Sequence, residues 1–555
     1  MQAEQLLGSQ SFLCCNTSLL RCAELLIWAN CAALQSLHSG CMQAPLRNSL
    51  RKRRASCRTP YPSTTANTRM SMSLHLQHFI AGEATEASDG QRMNLVNPIN
   101  EEIYASAAQG TAADVARAVA AARAQLEGGA WSKLSGLQRG QLLHKLAALV
   151  ERDTELLADM DARAIGRSPM EPRMMDVPNA ISHLRAAAGW ANQMEGRTIP
   201  TAGYMGKPTL SYTVREPIGV VGAILPWNAP LMITSWKVAA LLAAGCTVVI
   251  KPAEETPQSA LHLARLAQEA GFPDGVINVV TGYGNSVGRA LCEHPDVAKI
   301  SFTGSPEAGR AIQRIAGEQF KRVTLELGGK SPQIVFDDAP FEDALFGCTL
   351  GLFVNQGQVC AAGSRILVQR SLAQRFAKAL AEAAAGITVG DPSQPGVRMG
   401  PVAKKAQFER VNRYIQQGLD EGATLLAGGV SRPDKGWFVQ PTIFADANNG
   451  MSIAREEIFG PVGTIISFDT EEEAIALAND SKYGLAATVW TTNLARAHRV
   501  AAGVKVGAVG VNCWSPLDAN LPWGGIKDSG MGREGGLAGA LAYTEEKTVT
   551  VLLAS

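Results

Sequence analysis

Apolar residues recur at spacings of three and four from about 111 to 163, most clearly over 113–121 and 142–157, and predict alanine-rich amphipathic helices. From Val214 onward the pattern changes. Ile218-Gly219-Val220-Val221-Gly222-Ala223-Ile224-Leu225 is continuously apolar, as a strand buried on both faces must be, and Pro226-Trp227-Asn228 breaks it. A helix is predicted over 233–244, a second buried strand over 246–250, a helix over 256–270, and further strands over 276–280 and 299–302. Strands alternating with helices predict βαβ units and a parallel sheet, an architecture suited to nucleotides. The alternation resumes from 332 to about 511 and predicts a second α/β domain. Two segments stand apart: 210–214 and 548–551 alternate apolar and polar residues, as half-exposed strands do. They read either as ordinary edge strands or as strands that pair with another subunit.

The 555 residues carry a net charge of +1, with 18 % charged and 46 % apolar residues. That balance gives no general pull toward nucleic acid or an anionic membrane. No apolar run reaches the roughly 18 residues needed to span a bilayer. The charge is unevenly placed. Residues 1–71 hold eight Lys/Arg against Glu4 and Glu24, a net of +6 that leaves −5 for the remainder. Six of the eleven cysteines fall there too, while the other five are scattered without the close pairs of a metal site. No metal is therefore expected, and the body suits a reducing compartment. The head segment is Arg-rich and acid-poor, as an organellar transit peptide is. Arg21, Glu24 and Asn30 interrupt its apolar stretch 19–37 and argue against a secretory signal. The competing reading is a true start at Met70 or Met72. The expected location is the cytoplasm, or an organelle matrix if the transit reading holds.

Candidate chemistry centres on Cys360, in Phe353-Val354-Asn355-Gln356-Gly357-Gln358-Val359-Cys360-Ala361. A lone cysteine is more often a small buried apolar residue. Here, however, Leu325-Glu326-Leu327-Gly328-Gly329-Lys330 places a glutamate 34 residues upstream, and Glu456-Glu457-Ile458-Phe459-Gly460-Pro461-Val462 places another 97 downstream. A thiolate can attack a carbonyl, and the resulting oxyanion needs a donor such as the Asn228 amide. Glu326 can activate water, with two glycines after it permitting close approach. Phe302-Thr303-Gly304-Ser305-Pro306-Glu307 leaves a strand and enters a helix, as an anion site or simply a well-capped helix does. Lys251 and Glu254 follow a strand, where a carboxylate can take both ribose hydroxyls and repel a 2′-phosphate; a surface ion pair is the plainer reading. Gly282-Tyr283-Gly284 with Gly288 misses the dinucleotide fingerprint by one residue.

Three polar, glycine-flanked runs at these separations resemble the aldehyde dehydrogenase superfamily. The likeness runs from Asn97-Pro98 to the end and includes Pro522-Trp523-Gly524-Gly525, Ser529-Gly530 and Gly532-Arg533-Glu534. It implies a Rossmann-like cofactor domain over 72–328, with an arm at 198–217. It also implies an α/β catalytic domain over 329–530 and a segment 531–555 carrying a second arm strand that bridges subunits of a homotetramer or homodimer. It makes Cys360 the nucleophile, Glu326 the base and Asn228 the oxyanion donor, and gives Lys251 a part in catalysis. The cofactor, NAD or NADP with Glu254 favouring NAD, would meet Ile224, Pro226, Trp227, Lys251, Glu254, Gly284, Gly288, Gly304 and Ser305. Gln407, Glu457 and Phe459 would face the nicotinamide.

The substrate implied is a small-molecule aldehyde. Ala229, Val354 and Leu517 stand where relatives often carry aromatics, while Trp236 and Trp523 keep aromatic walls, so the expected pocket is wide and apolar. That suits aromatic or bulky aliphatic aldehydes, as in the phenylacetaldehyde-oxidising branch. Competing readings are an acylating enzyme that passes the acyl group to coenzyme A, a non-catalytic crystallin-like relative, and a metal or redox-sensing thiol. The presence of Glu326 speaks against the first, the presence of both Cys360 and Glu326 against the second, and the lack of a Cys or His near Cys360 against the third.

Overall fold

The continuously apolar runs become the central strands of two sheets in the computed structural model, which describes residues 74–553. Val220–Ile224 and Thr247–Lys251 are buried at every position and pair in parallel, with Val220 against Thr247 and Ile224 against Lys251. Ile277–Val279 extends the sheet on one side, and Val297–Gly304 and Arg322–Leu327 extend it on the other, all parallel. His78–Ile80 and Glu83–Thr85 finish one edge and Gly530–Met531 the other, as antiparallel additions. The chain moves outward from Val220–Ile224 to Ile277–Val279, then crosses back to lay Val297–Gly304 beside the first strand. Strand order therefore reverses between Val220–Ile224 and Val297–Gly304. A crevice at such a reversal is where α/β sheets bind ligands.

The alanine-rich stretch forms three helices, Ala112–Leu126, Gly136–Arg152 and Thr154–Ile165. Capping boxes open the first two, Thr111 with Asp114 and Ser135 with Gln138. Residues 328–331 then join the first sheet to a second of seven strands, running from Pro332–Val335 to Ala508–Val511. Only Thr424–Ala427 in that sheet pairs antiparallel.

The two alternating segments find each other. Thr209–Pro217 and Thr544–Leu552 pair antiparallel along their whole length, Thr209 against Leu552 and Pro217 against Thr544, with Thr198–Ile199 on the far side. Each is thus an arm strand whose first partner lies in its own chain. Thr544–Leu552 forms one edge of that small sheet, with Leu210, Val551 and Leu552 exposed on it. The head segment 1–71 and the proposed starts at Met70 and Met72 lie outside the described residues. Among the described residues, no helix is long and apolar enough to cross a membrane, and no cluster of three metal-ligating side chains is found.

One buried contact ties the helical layer to the first sheet. The helix Pro230–Ala244 ends at Gly245, whose φ of 92° suits glycine. The indole N–H of fully buried Trp131 donates to the Gly245 and Cys246 carbonyls at 2.9 and 3.1 Å, and its ring packs on Phe272. Trp131→Phe keeps most of the ring and strands both carbonyls. We expect a loss of about 1–3 kcal/mol, read as a lower urea midpoint at unchanged slope.

Candidate active site

Cys360 is placed by a backbone shape that the chain does not adopt unaided. Asn355, Gln356 and Gly357 have φ of 51°, 57° and 70°, so two non-glycine residues in succession are left-handed. Such positions cost on the order of 1–3 kcal/mol each and persist only where neighbours fix them. The Asn355 side-chain N–H donates to the Asn228 carbonyl at 2.7 Å, and the Asn228 Nδ2 donates to the Gln358 carbonyl at 2.9 Å. The Ala403 N–H reaches Gln358 Oε1 at 2.9 Å, and the Asn355 N–H reaches Glu171 Oε2 at 3.2 Å. Asn228 thus spends one of its two amide hydrogens and keeps the other.

Two cavities meet at this turn. One, of about 310 Å³, is lined by Ala229, Met232, Trp236, Val354, Trp514, Leu517 and Trp523 among others. The other, of about 510 Å³, runs past Pro226, Trp227, Gly304, Ser305, Gln407, Glu457 and Phe459. Asn228, Thr303, Glu326, Leu327 and Cys360 line both. Arg167 and Asp176, also in the first lining, are buried and ion-paired with each other.

Glu326 ends a strand of the first sheet, opposite Thr303 in register. It is buried, and neither carboxyl oxygen has a hydrogen-bond partner. Burial, then the charge of Glu534, pushes its pKa well above the usual carboxyl range, against the pull of Lys237 and Arg533. Glu534 itself is ion-paired with buried Lys237, and Ser301 donates to it at 3.2 Å. Burial also pushes the Cys360 thiol up to about 12, with Glu457 and Glu326 adding to the shift and backbone N–H groups opposing it. Burial raises Glu457 to about 7, although the Gly329 N–H donates to it at 3.1 Å.

The bare backbone at 328 and 329 is what allows these groups to meet. A Cβ at Gly328 would lie 1.9 Å from Glu457 Oε2, and one at Gly329 would lie 2.6 Å from the Cys360 carbonyl oxygen. Gly524 plays the same part behind Glu326, where a Cβ would stand 2.6 Å from Oε1.

The remaining predicted residues form a second group along the strand ends. Lys251 Nζ lies 3.3 Å from Glu254 and donates to the Pro252 carbonyl at 2.7 Å. The Gly284 N–H donates to Glu254 Oε1 at 2.8 Å, and an added Cβ at Gly288 would rest on Lys251 and Ile224. Burial alone would raise Glu254, but Lys251 and the Gly284 N–H outweigh it and hold the carboxyl ionised. Lys251 is outside the linings of both cavities, so its amine faces the Glu254 side of the site. Ser305 accepts from the Ala308 N–H and caps Pro306–Glu318, with Gly304 bare because the Phe302 ring folds against it. A dinucleotide fits this set: a capped helix start for phosphates and an ionised carboxylate for ribose hydroxyls. Trp227 and Phe459 meet edge to face at 5.3 Å in the adjoining cleft.

Gln407, expected on the nicotinamide side, also has backbone partners. It lines the cleft, but its amide donates to the Ile458 and Phe459 carbonyls at 2.9 and 2.7 Å, propping a turn in which Phe459 has φ of 60°. Arg410, three residues along the helix Lys405–Asp420, donates to the Glu457 carbonyl at 2.5 Å. That i, i+3 spacing was the readable signal for Arg410. Thr303, Lys404 and Trp514 also line the site and carried no sequence signal of their own.

A thiol held this high reacts as a thiolate only when base removes its proton. Iodoacetamide labelling of the Cys360 peptide should therefore accelerate about tenfold per pH unit from pH 7 to 10. A plateau with a midpoint near 8.5 would contradict the burial argument.

The profile of the Aldehyde dehydrogenase family matches residues 85–549. Aldehyde dehydrogenase 1A1 of Gallus gallus is 46 % identical over 475 residues, which span 85 % of this chain and 92 % of that one. The mitochondrial aldehyde dehydrogenase of Sus scrofa is 45 % identical over 477 residues, spanning 86 % and 91 %. Among solved structures, the NAD+ complex of the Bacillus cereus aldehyde dehydrogenase superposes with a TM-score of 0.84 at 44 % identity, over 86 % of this chain and 97 % of that one. Matched over most of its length in both sequence and fold, the chain belongs to the aldehyde dehydrogenase family.

Proposed function

We propose that this NAD-dependent aldehyde dehydrogenase oxidises an aromatic or bulky apolar aldehyde to its carboxylic acid. In this reading Cys360 is the nucleophile, Asn228 the oxyanion donor and Glu326 the base of hydrolysis. The observation that carries the reading is the placement of all three where an apolar cavity opens into the cofactor cleft. The Cys360 sulfur, once deprotonated, attacks the aldehyde carbon and forms a thiohemiacetal. The free N–H of Asn228 stabilises the oxygen as charge develops on it, a contribution of about 3 kcal/mol for one such donor. NAD, when bound, supplies the hydride acceptor that makes oxidation to the thioester possible. Pro226, Trp227, Gly304, Ser305, Glu254 and Glu457 would hold it. Glu326 then takes a proton from water, the hydroxide adds to the thioester carbon, and the C–S bond breaks to release acid and thiol.

The unpartnered oxygens of Glu326 leave it free to meet that water, and its raised pKa makes it a strong base once ionised. Activity should accordingly rise with pH as Glu326 and Cys360 lose their protons. The cavity supports the substrate class. Its aromatic walls Trp236, Trp514 and Trp523 face the small residues Ala229 and Val354, and its one guanidinium, Arg167, is neutralised by Asp176. No free cation remains in that lining to hold a carboxylated aldehyde. We also infer that the exposed edge Thr544–Leu552 pairs with a second copy, giving a homodimer or homotetramer. Light scattering of the intact protein would read this. The proposed location is the cytoplasm, or an organelle matrix if residues 1–71 act as a transit peptide.

Reduced-cofactor production at 340 nm tests the chemistry. Cys360→Ala should abolish turnover with phenylacetaldehyde, and Glu326→Gln should keep a single-turnover burst while losing the steady state. A wild-type enzyme that turns over only with coenzyme A added would place it in the acylating class. Ala229→Phe should shift kcat/KM from phenylacetaldehyde toward acetaldehyde by roughly tenfold or more. An unchanged ratio would remove Ala229 from the substrate argument.

A further inference from the structure

The left-handed turn before Cys360 is held from four directions. Asn355 Nδ2 binds the Asn228 carbonyl, Ala403 binds Gln358, and Gly357 packs so closely on Gly460 that a Cβ would lie 2.3 Å from its carbonyl oxygen. The fourth contact differs in kind: the Asn355 N–H, at the start of the turn, donates to Glu171 Oε2 at 3.2 Å across 184 residues of sequence. Among these four anchors, only Glu171 is ionisable.

We propose that Glu171 is a positioning residue, whose carboxylate pins the Asn355 amide and thereby fixes both the Cys360 sulfur and the Asn228 donor. The step from one contact to two reacting groups follows from Asn355 itself. Its backbone carries the turn, and its side chain grips the Asn228 carbonyl and, at 3.3 Å, the Gln358 carbonyl. Movement of Asn355 therefore displaces nucleophile and oxyanion donor together.

The surroundings of Glu171 suit an anchor. Its carboxyl is enclosed, and burial followed by the charge of Asp176 raises it to about 7, while Arg167 and the Asn355 N–H favour the ionised form. Asp161, raised to about 6 by burial, is the remaining acid in this cluster; it feels both Arg167 and Asp176 and accepts the Leu231 N–H. An ionised acceptor grips an N–H more strongly than a neutral one. Glu171 also begins a π-helical turn, Pro172–Asp176, whose Val177 N–H closes on the Pro172 carbonyl. Met175, four residues on, lines the apolar cavity. One short segment thus touches both the cavity and the turn bearing the nucleophile.

The proposal rests on Cys360 acting as the nucleophile, and the test separates the two claims. Wild type, Glu171→Ala and Glu171→Gln would be compared in phenylacetaldehyde turnover and in iodoacetamide labelling of Cys360, with exposed Cys513 as internal control. Glu171→Ala should lower kcat by roughly 10- to 100-fold, leave the KM for NAD within about twofold, and change Cys360 labelling at least about threefold without altering Cys513. Glu171→Gln keeps a carbonyl oxygen for the Asn355 N–H and should retain activity within about threefold at pH 8. Wild-type kcat and labelling in Glu171→Ala would overturn the proposal. So would a loss shared equally by kcat, NAD affinity and Cys513 labelling, which marks general unfolding. If Glu171→Ala does not fold, a Glu171→Gln enzyme with unchanged Cys360 labelling at every pH from 6 to 9 overturns it, and one whose labelling departs from wild type above pH 7 supports it. If the wild type turns over no aldehyde, the labelling comparison still decides the anchor while the dehydrogenase reading fails.

Discussion

The close approach of bare backbone at Gly328 and Gly329 to the second sheet is the constraint on which the site depends. Glu326 belongs to the first sheet, whereas Cys360 and Glu457 ride on turns of the second. They share one pocket because residues 328–331 cross between the sheets with no side chain at the two tightest points. A methyl group at either glycine would overlap the Glu457 carboxyl or the Cys360 carbonyl oxygen. Separating the sheets by the width of that methyl would open the junction of the two cavities. The glycines therefore serve the meeting of the domains as much as the turn itself.

What meets there is acidic and poorly solvated. Cys360, Glu326 and Glu457 are all raised by burial, and the two glutamates add to the repulsion felt by Cys360. Burial therefore favours the protonated forms of Cys360 and Glu326. A thiol raised in this way carries little thiolate near neutral pH. Buried Lys237 draws the Glu326 pKa down, but it is committed to Glu534. Glu326 is left unpaired on both oxygens.

Rigidity around the sulfur is obtained from neutral hydrogen bonds and one carboxylate. Two consecutive left-handed residues would relax in a free peptide. Here Asn228, Ala403, Gly460 and Glu171 over-determine them. The same parsimony appears at Phe459, another left-handed residue, whose carbonyl Gln407 supports while Arg410 holds the neighbouring Glu457 carbonyl. A side chain that lines the cleft can also be a strut for its neighbours, as Gln407 is.

Periodicity and punctuation determined much of this protein without any structure. The runs at 218–225 and 246–250 read as interior strands of a parallel sheet, because Thr247 is the one polar residue in them. Ser305-Pro306 had to begin a helix, since proline fits the first turn and serine caps it. Cys360, Glu326 and Asn228 stood out as candidates because three polar, glycine-flanked runs at these separations are hard to explain by packing alone. The sequence could not disclose which strands reverse order, and hence where Ile224 and Gly304 open a crevice, because crossover choice depends on contacts between segments some 80 residues apart. Nor could it reveal that 209–217 and 544–552 are each other's partners, that Gln407 faces a backbone, or that Glu171 reaches Asn355. Those pairings are hydrogen bonds made across long stretches of chain, and only tertiary packing brings their donors and acceptors within 3 Å or so.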